Sequence, residues 1–155
     1  MRVDQDSAKV GFPPPLVYLG TLLLGFAYTG LTGRLGPAGT LSFVAGVPLL
    51  VAGVAVILAG TERFRRAGTE PRPWLPTTSL VTTGIYAFTR NPMYLGMALL
   101  HAGLAICFDS FTALMLLPVA ILLIRTQVIA REERYLSDRF GADYVAYRKR
   151  VPRWF

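Results

Sequence analysis

Four long stretches of this chain are almost free of charge, and the intervals between them hold most of its ionisable groups. Residues 14–31 and 37–60 carry no charge, 91–108 hold Tyr94 and His101 as their notable ionisable groups, and 111–130 are interrupted only by Arg125. A helix needs about 20 residues, with about 17 as a minimum, to cross some 30 Å of hydrocarbon. Each stretch therefore predicts a transmembrane helix, the third marginal in length and starting inside the interface. The pattern predicts an all-α integral membrane protein with four transmembrane helices.

Local punctuation refines the picture. Asp109 and Ser110 alone separate spans three and four, which must form a tight helical hairpin. Gly39, Gly46, Gly53 and Gly60 recur every seven residues and line one face of span two. Such a face permits close backbone approach of a neighbouring helix; a substrate slot is the other reading. Residues 70–76 contain Pro71, Pro73 and Pro76 and read as extended, with Trp74 as an interfacial anchor. Residues 80–88 are apolar but too short to span, and lie along the interface or against the mouth of the bundle. After span four, 131–140 continue as helix with Tyr135, Leu136 and Phe140 on its apolar side, and Gly141 stops it. Asp143 is placed to cap a second short helix carrying Tyr144, Val145, Tyr147 and Arg148. With Trp154 and Phe155 at its end, this helical tail is expected to fold back onto the bundle.

Composition agrees with the pattern. Of 155 residues, 53% are apolar and only 16% charged, with a mean hydropathy of +0.46. The length suits one domain, 1–155, divided into scaffold spans (1–62), a cytosolic or interfacial loop (63–90), spans three and four (91–130) and a cytosolic tail (131–155). Arg2 and Lys9 ahead of an apolar run suggest a signal peptide, but the run is long enough to cross and three more follow. Cys107, the single cysteine, excludes an internal disulfide and reads as a small core residue. One His and scattered carboxylates are too little for a metal site.

The net charge of +7 does not indicate nucleic acid, because the basic residues form no continuous stripe. It points to membrane lipids as the partner surface. Arg63, Arg65, Arg66, Arg72 and Arg90 lie between spans two and three; Arg131, Arg134, Arg139, Arg148, Lys149, Arg150 and Arg153 follow span four. The other side has only Arg34, so the positive-inside rule puts both termini and the long loop in the cytosol.

Three polar groups are candidates for chemistry. Asn91 before Pro92 marks a helix start, whose free amides either are simply capped or receive a carboxylate. Helical spacing brings Asn91, Tyr94, Ala98 and His101 near one face. His101 is either an interhelical hydrogen-bonding residue or part of an acceptor site. Arg125 and Glu132, seven apart, share a helical face with Glu133 turned away. Either Arg125 snorkels and pairs with Glu132, or the acidic pair and the arginine bind a ligand carrying both charges. No phosphate loop, dinucleotide fingerprint, nucleophile elbow or zinc-protease motif occurs.

Residues 80–86 (Leu80, Val81, Thr82, Thr83, Gly84, Ile85, Tyr86), then Arg90, Asn91, Pro92, Met93, Tyr94, Leu95 and Gly96, resemble the signature of the isoprenylcysteine carboxyl methyltransferase family. So do Arg125, Glu132, Glu133, Phe140, Gly141, Tyr144, Tyr147, Arg150, Val151 and Pro152 in the second block. The resemblance covers roughly residues 78–153. Asn91 departs from it, standing where those enzymes usually have His, and is similar instead to the related phospholipid N-methyltransferases. The resemblance implies S-adenosylmethionine bound at the cytosolic face and a lipophilic acceptor arriving from the bilayer. Implied cofactor contacts are Val81, Gly84 and Tyr86 for the adenine, Glu132 or Glu133 for the ammonium or ribose, and Asn91, Tyr94 or Arg148 for the carboxylate. Arg90, Pro92, Gly96, Tyr144 and Tyr147 complete the implied set. A carboxylate acceptor needs only orientation, for which Arg125 serves; an amine or thiol must lose a proton, to His101 or a glutamate such as Glu132. The alternatives are a phosphatidylethanolamine-type N-methyltransferase and a non-enzymatic scaffold or lipid-binding protein.

Overall fold

The computed structural model describes residues 6–32 and 39–154, and these form helices and loops with no strand. The helices are α1 (Pro15–Leu31), α2 (Thr40–Arg66), α3 (Pro92–Cys107), α4 (Phe111–Leu123) and α5 (Ala130–Arg150). A 3₁₀ turn, Gly84–Ala87, precedes α3, and a π-helical segment, Ile124–Ile129, joins α4 to α5 without a break. Arg34 and the expected start of span two lie outside the described residues.

Two helices are long and apolar enough to cross a membrane: α2, and the continuous run Phe111–Arg150. The apolar helices α1 and α3 are shorter, at 17 and 16 residues. Leu16, Leu23 and Leu24 of α1, Val44, Val51 and Leu58 of α2, and Phe111 and Leu122 of α4 all point outward. The inward faces of α2 and α4 carry small residues, Gly46, Gly53 and Gly60 on the first and Ala113 and Ala120 on the second, an arrangement opposite to that of a water-soluble bundle.

The glycine face of α2 packs against α3, and α3 answers with glycines at the same spacing. A Cβ on Gly53 would lie 2.8 Å from the Gly96 carbonyl oxygen, and one on Gly96 would lie 2.8 Å from that of Gly53. Gly46 and Gly103 repeat the relationship at 2.8 and 2.9 Å. The stripe is thus a packing surface between neighbouring helices, not a slot. Gly39 takes no part in it, since a Cβ there would meet nothing. Cys107 is buried against the same seam, beside Gly46.

Polar side chains tie α1 to the hairpin. Ser110 caps α4 by accepting from the Ala113 amide at 3.2 Å, and its hydroxyl lies 2.7 Å from that of Thr29. His101, 2% exposed, sits between two carbonyl oxygens: Nε2 is 2.8 Å from Ala113 and Nδ1 is 3.2 Å from Tyr18. The Tyr18 hydroxyl donates in turn to the Tyr94 carbonyl at 3.1 Å. Of the two roles open to His101, the structure supplies the interhelical one.

Three sequence expectations need correction. α2 runs on to Arg66, well past Gly60. Asn91 occupies the position before α3 but makes no side-chain cap; its amide donates to the Arg153 carbonyl at 3.1 Å instead. Arg125 and Glu132 do not share a face. The π-helical segment between them bonds i to i+5, so a seven-residue step no longer returns to the same side. Arg125 is exposed there, and no ion pair joins it to Glu132 among the described residues.

Candidate active site

The cleft at the α3 N-terminus is assembled from four segments, each for a readable local reason. Gly84 adopts φ +64, a conformation open to glycine at little cost, and a side chain there would collide with Arg63. That turn starts the 3₁₀ segment and carries Tyr86 inward, leaving it 5% exposed. Pro92 then fixes the first turn of α3, so Asn91, Met93 and Tyr94 face the cleft. From the other side α5 contributes Glu132, Glu133, Tyr135 and Leu136 before its kink at Gly141, and Tyr144 and Tyr147 after it. The kink at φ 49, ψ −122 redirects the tail so that both tyrosines are buried.

Two coverings complete the cleft. The proline-rich segment expected to be extended puts Glu70, Arg72 and Leu75 in the lining, and Leu80 beyond it joins them. The segment is held by the Thr77 amide donating to the Tyr135 hydroxyl at 3.0 Å. The N-terminal segment supplies Ala8. It is tethered to α5 by Arg131 bonding the Lys9 carbonyl at 3.1 Å and by an Arg139–Asp6 ion pair of 2.6 Å. The enclosed part of the cleft is small, about 90 Å³, and the remainder opens to the outside.

The adjacent glutamates are in different electrostatic states. Glu133 is saturated: Arg90 Nη1 is 2.9 Å from Oε1, while Arg153 contacts Oε1 through Nε at 3.0 Å and Oε2 through Nη2 at 2.6 Å. Glu132 has no cationic partner among the described residues. It accepts 2.6 Å from the Tyr94 hydroxyl, and burial, with the neighbouring Glu133 charge adding to it, pushes its pKa up to about 7 despite that bond. Burial also raises Tyr86, Tyr144 and Tyr147 above the usual phenol range, so all three remain neutral donors. Tyr147 donates 2.7 Å to the Tyr86 carbonyl. Arg90 is 10% exposed, and its Nε is buried with no partner. Such an atom implies a missing acceptor.

The structure thus gathers Val81, Tyr86, Arg90, Asn91, Tyr94, Glu132, Glu133, Tyr144 and Tyr147 around one cavity. Six expected site residues do not line it. Gly84 shapes the turn, Gly96 packs on Gly53, and His101 bridges α1 and α4. Arg125 and Arg148 are exposed, and neither lines the cleft. Pro92 is buried beside the cleft without lining it. Sequence reasoning missed Arg153, Tyr135, Phe64 and the covering segment as parts of the site. The Pro152 restraint on Val151, which ends α5 and turns Arg153 back toward Glu133, was the available signal.

An S-adenosylated amino acid fits these groups. It carries a carboxylate for an orphaned guanidinium nitrogen, an ammonium for an unpaired carboxylate and an aromatic base for an apolar wall. Residues 41–143 match the family model described as phospholipid methyltransferase. The chain is 38% identical over 73 residues to protein-S-isoprenylcysteine O-methyltransferase of Schizosaccharomyces pombe, covering 47% of this chain and 31% of that one. It is 33% identical over 73 residues to protein-S-isoprenylcysteine O-methyltransferase B of Arabidopsis thaliana, covering 47% and 37%. It is 34% identical over 79 residues to the nickel-cobalt-cadmium resistance protein NccN of Alcaligenes xylosoxydans xylosoxydans, covering 51% and 37%. The chain thus spans about a third of the length of these curated relatives. No solved structure matches. With its family model matched over residues 41–143, the chain belongs to the phospholipid methyltransferase family.

Proposed function

We propose that this chain is an S-adenosylmethionine-dependent methyltransferase that modifies a lipophilic acceptor at a membrane interface, in the manner of the isoprenylcysteine carboxyl methyltransferases. The observation that carries the reading is a cleft lined both by Glu132, which has no cationic partner among the described residues, and by Arg90 and Glu133, with Arg153 behind them. When bound, the donor supplies an electrophilic methyl group, and the protein's task is to orient it toward a nucleophile. Glu132 meets the ammonium, Arg90 the carboxylate, and Tyr86, Val81 and Leu80 the adenine. With Glu132 given to the ammonium, Glu133 committed to two arginines, Glu70 paired with Arg72 and His101 outside the cleft, the described residues leave no unengaged carboxylate or imidazole in the lining. That favours an acceptor already nucleophilic, such as a carboxylate.

The membrane placement belongs to the same reading. α1 and α3 are each about 25 Å long at 1.5 Å per residue, close to the hydrocarbon thickness of about 30 Å. Together with the two longer apolar helices they make four spans, with the arginine-rich loop and tail at the cytosolic face. α1 and α2 then serve as scaffold, and α3, α4 and α5 carry the site. The acceptor enters from the lipid side and the donor from water.

A second reading, a phosphatidylethanolamine-type N-methyltransferase, is favoured by Asn91 and by the family description. In that case Glu132 is the group left to take the amine's proton. Incubation of the purified protein with radiolabelled S-adenosylmethionine, membrane lipid extract and an S-farnesylcysteine separates the readings. Label in a base-labile ester supports the first and label in phospholipid the second. No label in either overturns both, leaving a scaffold or lipid-binding protein.

A further inference from the structure

We propose that Arg153 is a positioning residue of the donor site: by clamping Glu133, it fixes Arg90 in the pose that receives the donor's carboxylate. The inference rests on the methyltransferase reading and concerns a residue outside the motifs that suggested it.

Three observations carry it. First, Arg153 grips Glu133 with a two-pronged contact, Nε to Oε1 at 3.0 Å and Nη2 to Oε2 at 2.6 Å, the geometry in which a guanidinium best orients a carboxylate. Second, the backbone beneath that side chain is itself pinned to the cleft. The Arg153 carbonyl accepts from the Thr89 hydroxyl at 3.0 Å and the Asn91 amide at 3.1 Å, and the Pro152 carbonyl accepts from the Arg90 amide at 3.0 Å. Third, Glu133 passes the constraint to Arg90 through Nη1 at 2.9 Å, while Arg90 keeps a buried Nε without an acceptor. Two arginines around one carboxylate give the Arg90–Glu133–Arg153 group a net positive charge, and Arg90 is its cationic member in the cleft lining. An anion is the partner that such a site lacks, and the carboxylate of the donor's amino-acid portion is the anion that the reading provides. Without Arg153, Glu133 is free to rotate and Arg90 loses its orientation, though neither charge disappears.

The test uses full-length protein in lipid nanodiscs and calorimetry with two ligands. S-adenosylhomocysteine carries the amino-acid portion; 5′-methylthioadenosine has the same nucleoside without it. Arg153→Ala should weaken the first about tenfold, the scale of one charge-assisted hydrogen bond, and leave the second unchanged. Arg153→Lys, which keeps the charge but not the fork, should fall between Ala and the unaltered protein and guards against a folding defect in Ala. Parallel weakening of both ligands would assign Arg153 a merely structural role and overturn the proposal, as would undiminished affinity for S-adenosylhomocysteine. If the unaltered protein bound neither ligand, the methyl-donor reading itself would fall, a result distinct from either.

Discussion

The hydroxyl of Tyr94, one turn into α3, donates a 2.6 Å hydrogen bond to Oε1 of Glu132, two residues beyond the start of α5. It is the one strong contact that the structure gives this carboxylate, and it differs in kind from the arginine clamp on Glu133. Two adjacent glutamates are thereby separated into a tethered group and a group available to a cationic ligand.

That separation predicts a pH dependence. Glu132 titrates near 7 in the folded protein, above its ordinary value of 4.5. Because the folded state holds the proton more tightly than the unfolded state, this group's contribution makes the fold less stable as pH rises from about 4.5 to about 7, and flat beyond. Binding of an ammonium-bearing ligand runs the other way, since it needs the ionised form. The affinity for S-adenosylhomocysteine should therefore rise between pH 6 and 8 (roughly one unit either side of that value). Glu132→Gln should weaken binding and flatten this rise. A rise of equal steepness in Glu132→Gln would show that another group titrates.

His101 lies deep in the bundle, and its two nitrogens face carbonyls of α1 and α4. His101→Ala should lower thermal stability by roughly 1–3 kcal/mol through a cavity and a lost interhelical hydrogen bond. Affinity for S-adenosylhomocysteine should stay the same, because the ring does not line the cleft. Detergent-solubilised thermal melts beside calorimetry check both halves. Lost binding at a temperature where the variant is folded would place His101 back in the site.

The α2–α3 seam makes a sharper contrast between a glycine inside α2 and the one that precedes it. A Cβ on Gly53 would lie 2.8 Å from the Gly96 carbonyl oxygen, a backbone atom that cannot yield, whereas one on Gly39 would meet nothing. Gly53→Val should cost at least about 2 kcal/mol or prevent folding. Gly39→Ala should cost less than about 1 kcal/mol, since Gly39 is the extended N-cap ahead of α2, where alanine is only a somewhat poorer residue. Melting temperatures of the two variants provide the comparison.

The helices were legible in the sequence because apolar runs, Pro15, Pro92 and Ser110 mark their limits directly. The seven-residue glycine pattern also announced its use, although its partners Gly96 and Gly103 on α3 were not seen as its complement. The site was legible in part. Tyr86, Arg90, Tyr94, Glu132, Glu133, Tyr144 and Tyr147 come together as expected, since two motifs in order imply adjacency. Arg125 was misplaced because the spacing argument assumes an unbroken α-helix, and no residue between Ile124 and Ile129 advertises a π turn. Arg153 was missed because its role arises from a chain reversal after Pro152 that brings residues 62–64 positions apart into hydrogen-bond contact. Periodicity has no means to express such a contact.

Gly141 links this local geometry to the site. The sequence predicts a stop there, and the structure shows a kink within one run: at φ 49, ψ −122 the chain changes direction and continues as helix. A Cβ at Gly141 would meet no neighbour, so the obstacle to a side chain is the backbone angle alone. Gly141→Ala should thus cost about 1–3 kcal/mol by strain if the kink persists. If the chain relieves the strain by straightening, Tyr144 and Tyr147 leave the cleft, and the Tyr147 bond to the Tyr86 carbonyl breaks. The two responses separate on measurement. Persistence of the kink lowers the melting temperature but preserves affinity for 5′-methylthioadenosine, the ligand that probes the nucleoside end. Straightening loses that affinity while stability changes little. Unchanged stability together with unchanged affinity would mean that residue 141 does not hold the left-handed conformation on which the placement of both tyrosines depends.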